Sequence, residues 1–120
     1  MAGLIGPGLR MLCRTEDIPE GGSRGFPPPP GGFHGLFAIR RGGTVVVYVN
    51  ACPHLGLPLD WVPDHFLSAD GARIICATHG AEFRIDDGEC LHGPCYGDRL
   101  DSVMIQIKDG IIWVSQDAGP

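Results

Sequence analysis

Two short segments carry the side chains best suited to binding a metal. The first contains Cys52 and His54 with one residue between them, and the second contains Cys76 and His79 with two residues between them. Thiolates and imidazoles are the ligands that proteins offer to zinc and iron. A zinc-finger knuckle pairs cysteine with cysteine and histidine with histidine, whereas each segment here holds one of each. The pattern favours a binuclear centre in which one metal ion binds both cysteines and the other binds both histidines.

Two other interpretations of these four residues stay open at this point. A mononuclear zinc site accepts the same two thiolates and two imidazoles. The four side chains can also be buried without a metal. Spacing alone does not separate these possibilities, so the residues around the ligands have to decide.

The flanking residues resemble those of a known family. Cys-Pro-His-Leu-Gly at residues 52–56 and Cys-x-x-His-Gly-Ala-x-Phe at residues 76–83 are similar to the two cluster-binding boxes of Rieske proteins. Gly-Pro-Cys at residues 93–95 resembles the proline loop that covers the cluster in that family. The resemblance extends from about residue 12 to about residue 114. It implies one [2Fe-2S] cluster per chain.

The resemblance also implies roles for individual residues. Cys52 and Cys76 would bind one iron, and His54 and His79 the other. The residues implied to shield the cluster or to surround its ligands are Leu55, Gly80, Ala81, Phe83 and Pro94. With two ferric ions, two sulfides and two thiolates, the oxidised centre is neutral, and one electron makes it −1. The function implied is one-electron transfer, without catalysis by the chain itself.

The same comparison predicts a low reduction potential. High-potential members carry a serine after the His-Gly of the second box and a tyrosine nearby, where this chain has Ala81 and Phe83. Neither side chain can donate a hydrogen bond. High-potential members also join the boxes by a disulfide, and the matching positions here are Leu57 and Thr78. We expect a potential near the lower end of the range of roughly −150 to +300 mV.

Composition predicts how the ligand segments are positioned. A chain of 120 residues is one domain, and its 19 glycines and 11 prolines favour short strands and turns over helices. We predict an all-β fold of stacked antiparallel sheets, three small sheets by resemblance, with both ligand loops at one end. Residues 1–8 are predicted to be a flexible lead, and residues 9–120 the domain.

Strand patterns place the ligand loops at the ends of hairpins. Strands over residues 36–40 and 44–50 flank an Arg-Gly-Gly turn, and the second of them leads to Cys52. Residues 73–76 and 81–85 are predicted to form a second hairpin around the second ligand segment. Further strands are predicted over residues 9–14, 102–108 and 111–115, the last two joined by Asp109-Gly110.

The remaining segments are predicted to be connections. Residues 25–35 contain Pro27–Pro30 and are predicted to be a surface loop with an exposed His34. Residues 57–72 are predicted to be a compact linker packed around aromatic side chains, with room for one helical turn and a surface histidine, His65. Residues 90–95 are predicted to be the covering loop, with His92 as a loop histidine. Cys90 and Cys95 are expected to be buried, with a disulfide or a second metal site as the alternatives.

Charge and cysteine usage limit the partners. The formal net charge is −5 and basic residues form no run, which argues against nucleic acid. Neither a spanning segment nor a secretory signal is recognisable, and an odd count of five cysteines fits metal binding in a reducing compartment, so a cytoplasmic protein is expected. The expected partners are a flavin reductase and a terminal oxygenase or other oxidoreductase, with no small-molecule substrate. The alternatives are a small Rieske subunit of a larger oxidoreductase, similar to nitrite reductase or an oxygenase complex, and a zinc-binding structural module.

Overall fold

The computed structural model describes residues 8–28, 34–53, 56–60, 62–77 and 80–115. Within these residues the chain forms nine short strands and one turn of 3₁₀ helix, which confirms the predicted all-β class. The strands are β1 (Leu9–Arg14), β2 (Ser23–Phe26), β3 (Leu36–Arg41), β4 (Thr44–Val49), β5 (Arg73–Ile75), β6 (Glu82–Arg84), β7 (Cys90–His92), β8 (Ile105–Lys108) and β9 (Ile111–Ser115). Among the residues described, none belongs to a helix with the length and apolar character needed to cross a bilayer.

The strands form three antiparallel sheets of three strands each, as predicted. The terminal sheet has the order β1-β9-β8 and joins the two ends of the domain. The central sheet has the order β2-β3-β4, and the site sheet has the order β5-β6-β7. Each ligand segment follows a strand of a different sheet, so the site depends on how the central and site sheets pack together.

The central sheet is covered on both faces because β3 is apolar at successive positions. Side chains alternate between the two faces of a strand. Leu36 and Ala38 belong to the core that the central sheet shares with the terminal sheet. Phe37 and Ile39 belong to the core that it shares with the site sheet. A strand buried on both faces reads as a continuous apolar run, as this one does.

Tight turns join the strands of two predicted hairpins. Gly42 and Gly43 join β3 to β4 with φ of 51° and 83°, and Asp109 and Gly110 join β8 to β9 with φ of 55° and 75°. Two successive residues with positive φ are typical of type I′ turns, whose twist matches that of the paired strands. Both hairpins are therefore confirmed, with Arg41 opposite Thr44 at the end of the first.

β2 was not predicted from the sequence. No strand was predicted over residues 23–26, and residues 25 and 26 were assigned to the proline-rich loop, but all four pair with β3, with Ser23 opposite Ile39 and Phe26 opposite Leu36. The prediction was wrong because the free edge of β3 supplies hydrogen-bonding partners that no local pattern reveals. His34 is half-buried rather than exposed. Of Pro27–Pro30, the first two prolines are exposed and the rest lie outside the described residues.

Three other boundaries differ from the predictions. Residues 90–92 form β7 on the edge of β6 rather than part of a loop. β8 begins at Ile105, and Ser102 forms only an isolated bridge with Tyr48. The described part of the linker 57–72 contains no helical turn, although it is anchored by an aromatic side chain as predicted. Phe66 is fully buried, and its ring stacks on Phe37 with 4.3 Å between centroids.

Tyr48 connects the central sheet to the site sheet. Its hydroxyl donates a hydrogen bond of 2.5 Å to the carbonyl oxygen of Ile85, and the ring is 1% exposed. Burial, with the negative charges of Asp87 and Asp86 nearby, raises the pKa of Tyr48 to about 12. The folded chain therefore holds this proton more tightly than the unfolded chain, in which the pKa is about 10.

Replacing Tyr48 by phenylalanine is expected to change stability in a pH-dependent way. Near neutral pH the variant should lose about 1–2 kcal/mol, because a buried carbonyl loses its donor. The contribution of the tyrosine proton is complete below about pH 10 and disappears as the pH rises towards about 12. Urea denaturation of both proteins should therefore show a smaller alkaline loss in the variant. The control is Tyr96→Phe, at a 77% exposed residue, which should follow the unmodified protein.

Candidate metal centre

The first ligand loop begins at Cys52, three residues after β4. The backbone N–H of Cys52 donates to the carbonyl oxygen of Leu57 at 2.8 Å, and the N–H of Gly56 donates to the carbonyl oxygen of Cys52 at 2.6 Å. Gly56 has φ of 72°, a conformation that glycine adopts without strain. These two bonds close the loop on the cysteine. His54 and Leu55, predicted as a ligand and a shield, lie outside the described residues.

The second ligand loop repeats this geometry. The N–H of Cys76 donates to the carbonyl oxygen of Ala81 at 2.9 Å, and the N–H of Gly80 donates to the carbonyl oxygen of Cys76 at 2.8 Å. Gly80 has φ of 69°. The same two bonds thus occur in each loop at the same offsets from the cysteine. The glycine that donates one of them has the same conformation in both loops. Thr78 and His79, the latter a predicted ligand, lie outside the described residues.

A direct backbone bond holds the two loops side by side. The N–H of Ala77, in the second loop, donates to the carbonyl oxygen of Leu59, just after the first loop, at 2.9 Å. The side-chain oxygen of Asn50 accepts a hydrogen bond of 2.8 Å from the N–H of Leu59, and its amide donates to Asp60 at 3.1 Å. Asn50 was missed at the sequence level. The available signal was an amide immediately before a ligand segment, where such side chains hydrogen-bond nearby backbone groups.

The two loop cysteines are fully enclosed. Cys52 is 1% exposed and Cys76 is 0% exposed, and both belong to the core between the central and site sheets. Burial excludes water from both side chains. A bound metal ion would compensate the charge of the two buried thiolates. Among the described residues no group of three or more metal-binding side chains occurs, since both loop histidines fall outside that part of the chain. The structure therefore places both predicted cysteine ligands in the same core, in two loops joined by a backbone hydrogen bond.

Because residues 90–92 belong to β7, the covering loop consists of residues 93–98, and its first residue, Gly93, lies against the second ligand loop. A Cβ on Gly93 would be 2.8 Å from the Cα of Ala81, so no larger residue fits there without movement. The N–H of Cys90 donates to the carbonyl oxygen of Asp98 at 2.8 Å and holds the far end of the loop on β7. Pro94, predicted to shield the cluster, follows the contact point and is exposed.

Two further cysteines, Cys90 in β7 and Cys95 in the covering loop, are in contact with each other. Cys90 and Cys95 are both buried, as expected, and their sulfur atoms are 2.8 Å apart. Burial, together with the adjacent Cys90 thiol, raises the pKa of Cys95 far above its usual range. At least one of the two is therefore a protonated thiol that donates to the other sulfur, in the core that also contains Cys52.

The residues predicted to set the potential are also placed. Ala81 and Phe83 are fully buried, the first at the end of the second ligand loop and the second in β6. Neither side chain carries a hydrogen-bond donor. His65 is exposed, as expected, and His92 is also exposed but lies in β7 rather than in a loop.

The loop geometry agrees with the comparison to known families. Residues 9–107 match the model of the Rieske [2Fe-2S] domain. The chain belongs to the Rieske family. The comparison with curated protein sequences found no match.

Solved structures show the same Rieske fold. One is a chain in the complex of reduced oxygenase and oxidized ferredoxin in carbazole 1,9a-dioxygenase, with a TM-score of 0.71, 23% identity, and coverage of 92% of this chain and 94% of that one. The ferredoxin of carbazole 1,9a-dioxygenase from Nocardioides aromaticivorans IC177 has a TM-score of 0.70 and 20% identity, with coverage of 89% and 96%. The terminal oxygenase of carbazole 1,9a-dioxygenase from Novosphingobium sp. KA1 has a TM-score of 0.73 and 19% identity, with coverage of 93% and 31%.

The Rieske family carries one [2Fe-2S] cluster per chain. The described residues fit this cofactor, because two enclosed thiols come from two adjacent loops of matching conformation. One cysteine from each loop is the donor set that one iron of such a cluster requires.

Gly93→Ala is expected to disturb the Rieske site from outside the ligand set. The substitution forces a methyl group against the backbone of Ala81 and places alanine at φ of 108°, so we expect a loss of about 2–4 kcal/mol in stability. The matched control is Gly97→Ala, which has φ of 96° but nothing within 4 Å of the added carbon. Urea denaturation measures both, and equal losses would show that the contact with Ala81 is unimportant.

Proposed function

We propose that this chain is a Rieske-type ferredoxin, a one-electron carrier that itself catalyses no reaction. The observation that carries the proposal is the pair of matching loops, each of which closes on an enclosed cysteine. The likeness over 96% of the Nocardioides ferredoxin supports a carrier. The cytoplasm is the proposed location, because an odd count of five cysteines fits metal binding in a reducing compartment better than a set of disulfides.

In this proposal the cluster is bound by Cys52, His54, Cys76 and His79. When bound, the cluster supplies a centre that accepts and releases one electron with little change in geometry. The chain's part is to fix the ligands before binding: the Gly56 and Gly80 bonds to the cysteine carbonyls pre-form both loops. Preorganised ligands need little rearrangement. The neutral imidazoles, in place of thiolates, leave the site less negative than an all-cysteine cluster.

The proposed partners are a flavin reductase that supplies the electron and a terminal oxygenase or other oxidoreductase that receives it. A matched structure is itself a complex of an oxygenase with a ferredoxin. The net charge of −5 favours partners with basic docking surfaces.

The deciding experiment is electron paramagnetic resonance of the dithionite-reduced protein, purified without air, with iron and zinc measured on the same sample. We expect a rhombic spectrum of low average g and about two irons per chain. No signal and one zinc per chain would reject electron transfer and make the protein a zinc-binding structural module.

The midpoint potential is expected to be low. The side chains of Ala81 and Phe83 have no hydrogen-bond donor that could stabilise the reduced cluster, so we expect a midpoint below zero, towards roughly −150 mV. Protein-film voltammetry measures it directly. A midpoint well above zero would reject the prediction of a low-potential site.

A second candidate is a small Rieske subunit of a larger oxidoreductase. The observation that favours it is the fold match to the Novosphingobium oxygenase, whose chain has 31% of its length covered by this domain. Purification from the native host without a tag separates the two functions. Stable copurification with a larger subunit favours the subunit, and a monomer that a reductase reduces and an acceptor reoxidises favours the carrier.

A further inference from the structure

Cys90 and Cys95 take no part in the proposed cluster binding, yet they are in direct contact. Their sulfur atoms are 2.8 Å apart. This distance is shorter than the van der Waals separation of two sulfur atoms and only about 0.8 Å longer than a disulfide bond. We propose that Cys90 and Cys95 are a site of reversible oxidation, where a low-molecular-weight disulfide of the glutathione class converts the two thiols into an internal disulfide.

The backbone holds both cysteines in position for this bond. Cys90 is in β7, and its N–H donates to the carbonyl oxygen of Asp98 at 2.8 Å. The N–H of Asp98 in turn donates to the carbonyl oxygen of Cys95, also at 2.8 Å. The N–H of Tyr96 donates to the carbonyl oxygen of Gly93 at 3.1 Å and closes the turn. Bond formation therefore requires the two sulfur atoms to approach by only about 0.8 Å.

The covering loop provides the route by which a reagent reaches the sulfur atoms. Cys90 and Cys95 are 1% and 2% exposed, so the closed loop protects them. Pro94, Tyr96 and Gly97 are exposed, and Cys95 is the buried residue at the centre of the loop. Segments with few buried contacts open locally at low free-energy cost. Opening of this loop uncovers Cys95 without unfolding the sheets.

The chemistry is a two-step thiol–disulfide exchange. When the loop is open, Cys95 is no longer subject to the burial that raises its pKa, and its thiolate attacks the S–S bond of glutathione disulfide, which breaks that bond, forms a mixed disulfide and releases one glutathione. The second cysteine then attacks the protein-side sulfur of the mixed disulfide, which forms the internal bond and releases the second glutathione. The two protein thiols lose two protons and two electrons, and one glutathione disulfide becomes two glutathione thiols.

The internal disulfide would fasten the covering loop onto the second ligand loop. Gly93 lies against Ala81, and a bond from Cys95 to β7 restricts the movement that separates them. Oxidation of the two thiols would thus restrict a loop next to the metal centre, although neither thiol is a cluster ligand. The inference stands whether or not the chain carries electrons, because it concerns thiols outside the ligand set.

The test is a redox titration of the metal-loaded protein. The protein is equilibrated without air in buffers of graded glutathione and glutathione disulfide, quenched with acid, unfolded, alkylated and digested with trypsin. The tryptic peptide of residues 85–99 contains Cys90 and Cys95 and no other cysteine. Mass spectrometry therefore reads this pair separately from the cluster ligands.

We expect the unalkylated peptide, lighter by two hydrogens, to replace the doubly alkylated form as the buffer becomes oxidising, and dithiothreitol to reverse the change. The ratio of the two forms should change tenfold for each tenfold change in the squared glutathione concentration divided by that of its disulfide. A peptide that stays doubly alkylated, carries two glutathiones, or does not return on reduction would overturn the proposal. The unmodified protein suffices for this test.

Two variants and one further measurement sharpen the result. Cys95→Ser should give no internal disulfide, whereas Cys13→Ser, in the other core, should titrate like the unmodified protein. Oxidation should slow hydrogen exchange at the Tyr96 and Asp98 amides at least about tenfold, since their bonds close the loop. Equal exchange rates in the two states would refute the fastening of the loop.

Discussion

Cys76→Ser is expected to abolish the cluster. Cys76 is fully buried, and its carbonyl and N–H close the second ligand loop, so the substitution removes one iron ligand and leaves the loop backbone in place. A serine hydroxyl is a much poorer ligand for iron–sulfur iron than a thiolate. Iron should fall from about two per chain to near zero, and the visible absorption should disappear. Metal analysis and the absorption spectrum of the anaerobically purified variant measure both.

Cys13→Ser is the matched control for this loss. Cys13 is also buried, at 5% exposure, but it lies in the core between the terminal and central sheets. The same chemical change there should leave the iron content unaltered. If Cys76→Ser retains two irons and an unchanged spectrum, the ligand assignment fails. If both variants lose iron equally, the loss reflects general destabilisation, and circular dichroism of the two apoproteins identifies that case.

Phe66→Ala is expected to cause the largest loss of stability, about 3–5 kcal/mol. The ring is fully buried, stacks on Phe37 at an interplanar angle of 4°, and anchors the linker between the two ligand loops. Truncation leaves a cavity between the central and site sheets and frees the linker. Urea denaturation followed by circular dichroism measures the change in the free energy of unfolding.

Two variants in or near the same linker serve as controls. Phe66→Leu keeps most of the apolar volume and should lose clearly less stability than the alanine variant. Val62→Ala changes a side chain that is 55% exposed, so it should stay within about 0.5 kcal/mol of the unmodified protein. A loss below about 1 kcal/mol for Phe66→Ala would show that the linker is not held by this ring.

Local signals predicted the hairpins well. The β3–β4 hairpin combines β-branched strands with a Gly-Gly turn, and the β8–β9 hairpin has Asp109-Gly110, so both are specified within a few residues. β2 and β7 could not be predicted in the same way. Ser23–Phe26 and Cys90–His92 show no clear alternation, and they become strands because β3 and β6 offer free edges. An edge exists only after the neighbouring hairpin has formed.

The site likewise contains some features that local sequence predicts and others that depend on packing. Cys52 and Cys76 were predicted as ligands because each stands near a histidine in a short segment that resembles a known cluster-binding box. The contact of Gly93 with Ala81 and the approach of Cys90 to Cys95 depend on how separate segments pack. Their residue types were visible in the sequence, but the distances that give them meaning were not.

Because β3 is buried on both faces, the absorption of the cluster should report the unfolding of both cores. Leu36 and Ala38 serve one core while Phe37 and Ile39 serve the other, so neither core can melt without taking the shared strand with it. A destabilising substitution in the terminal sheet, remote from any metal ligand, should therefore lower the denaturant midpoint of the cluster's visible absorption. It should lower the midpoint of the circular dichroism signal equally. A single coloured transition would then report unfolding for every variant of this chain, wherever the substitution lies.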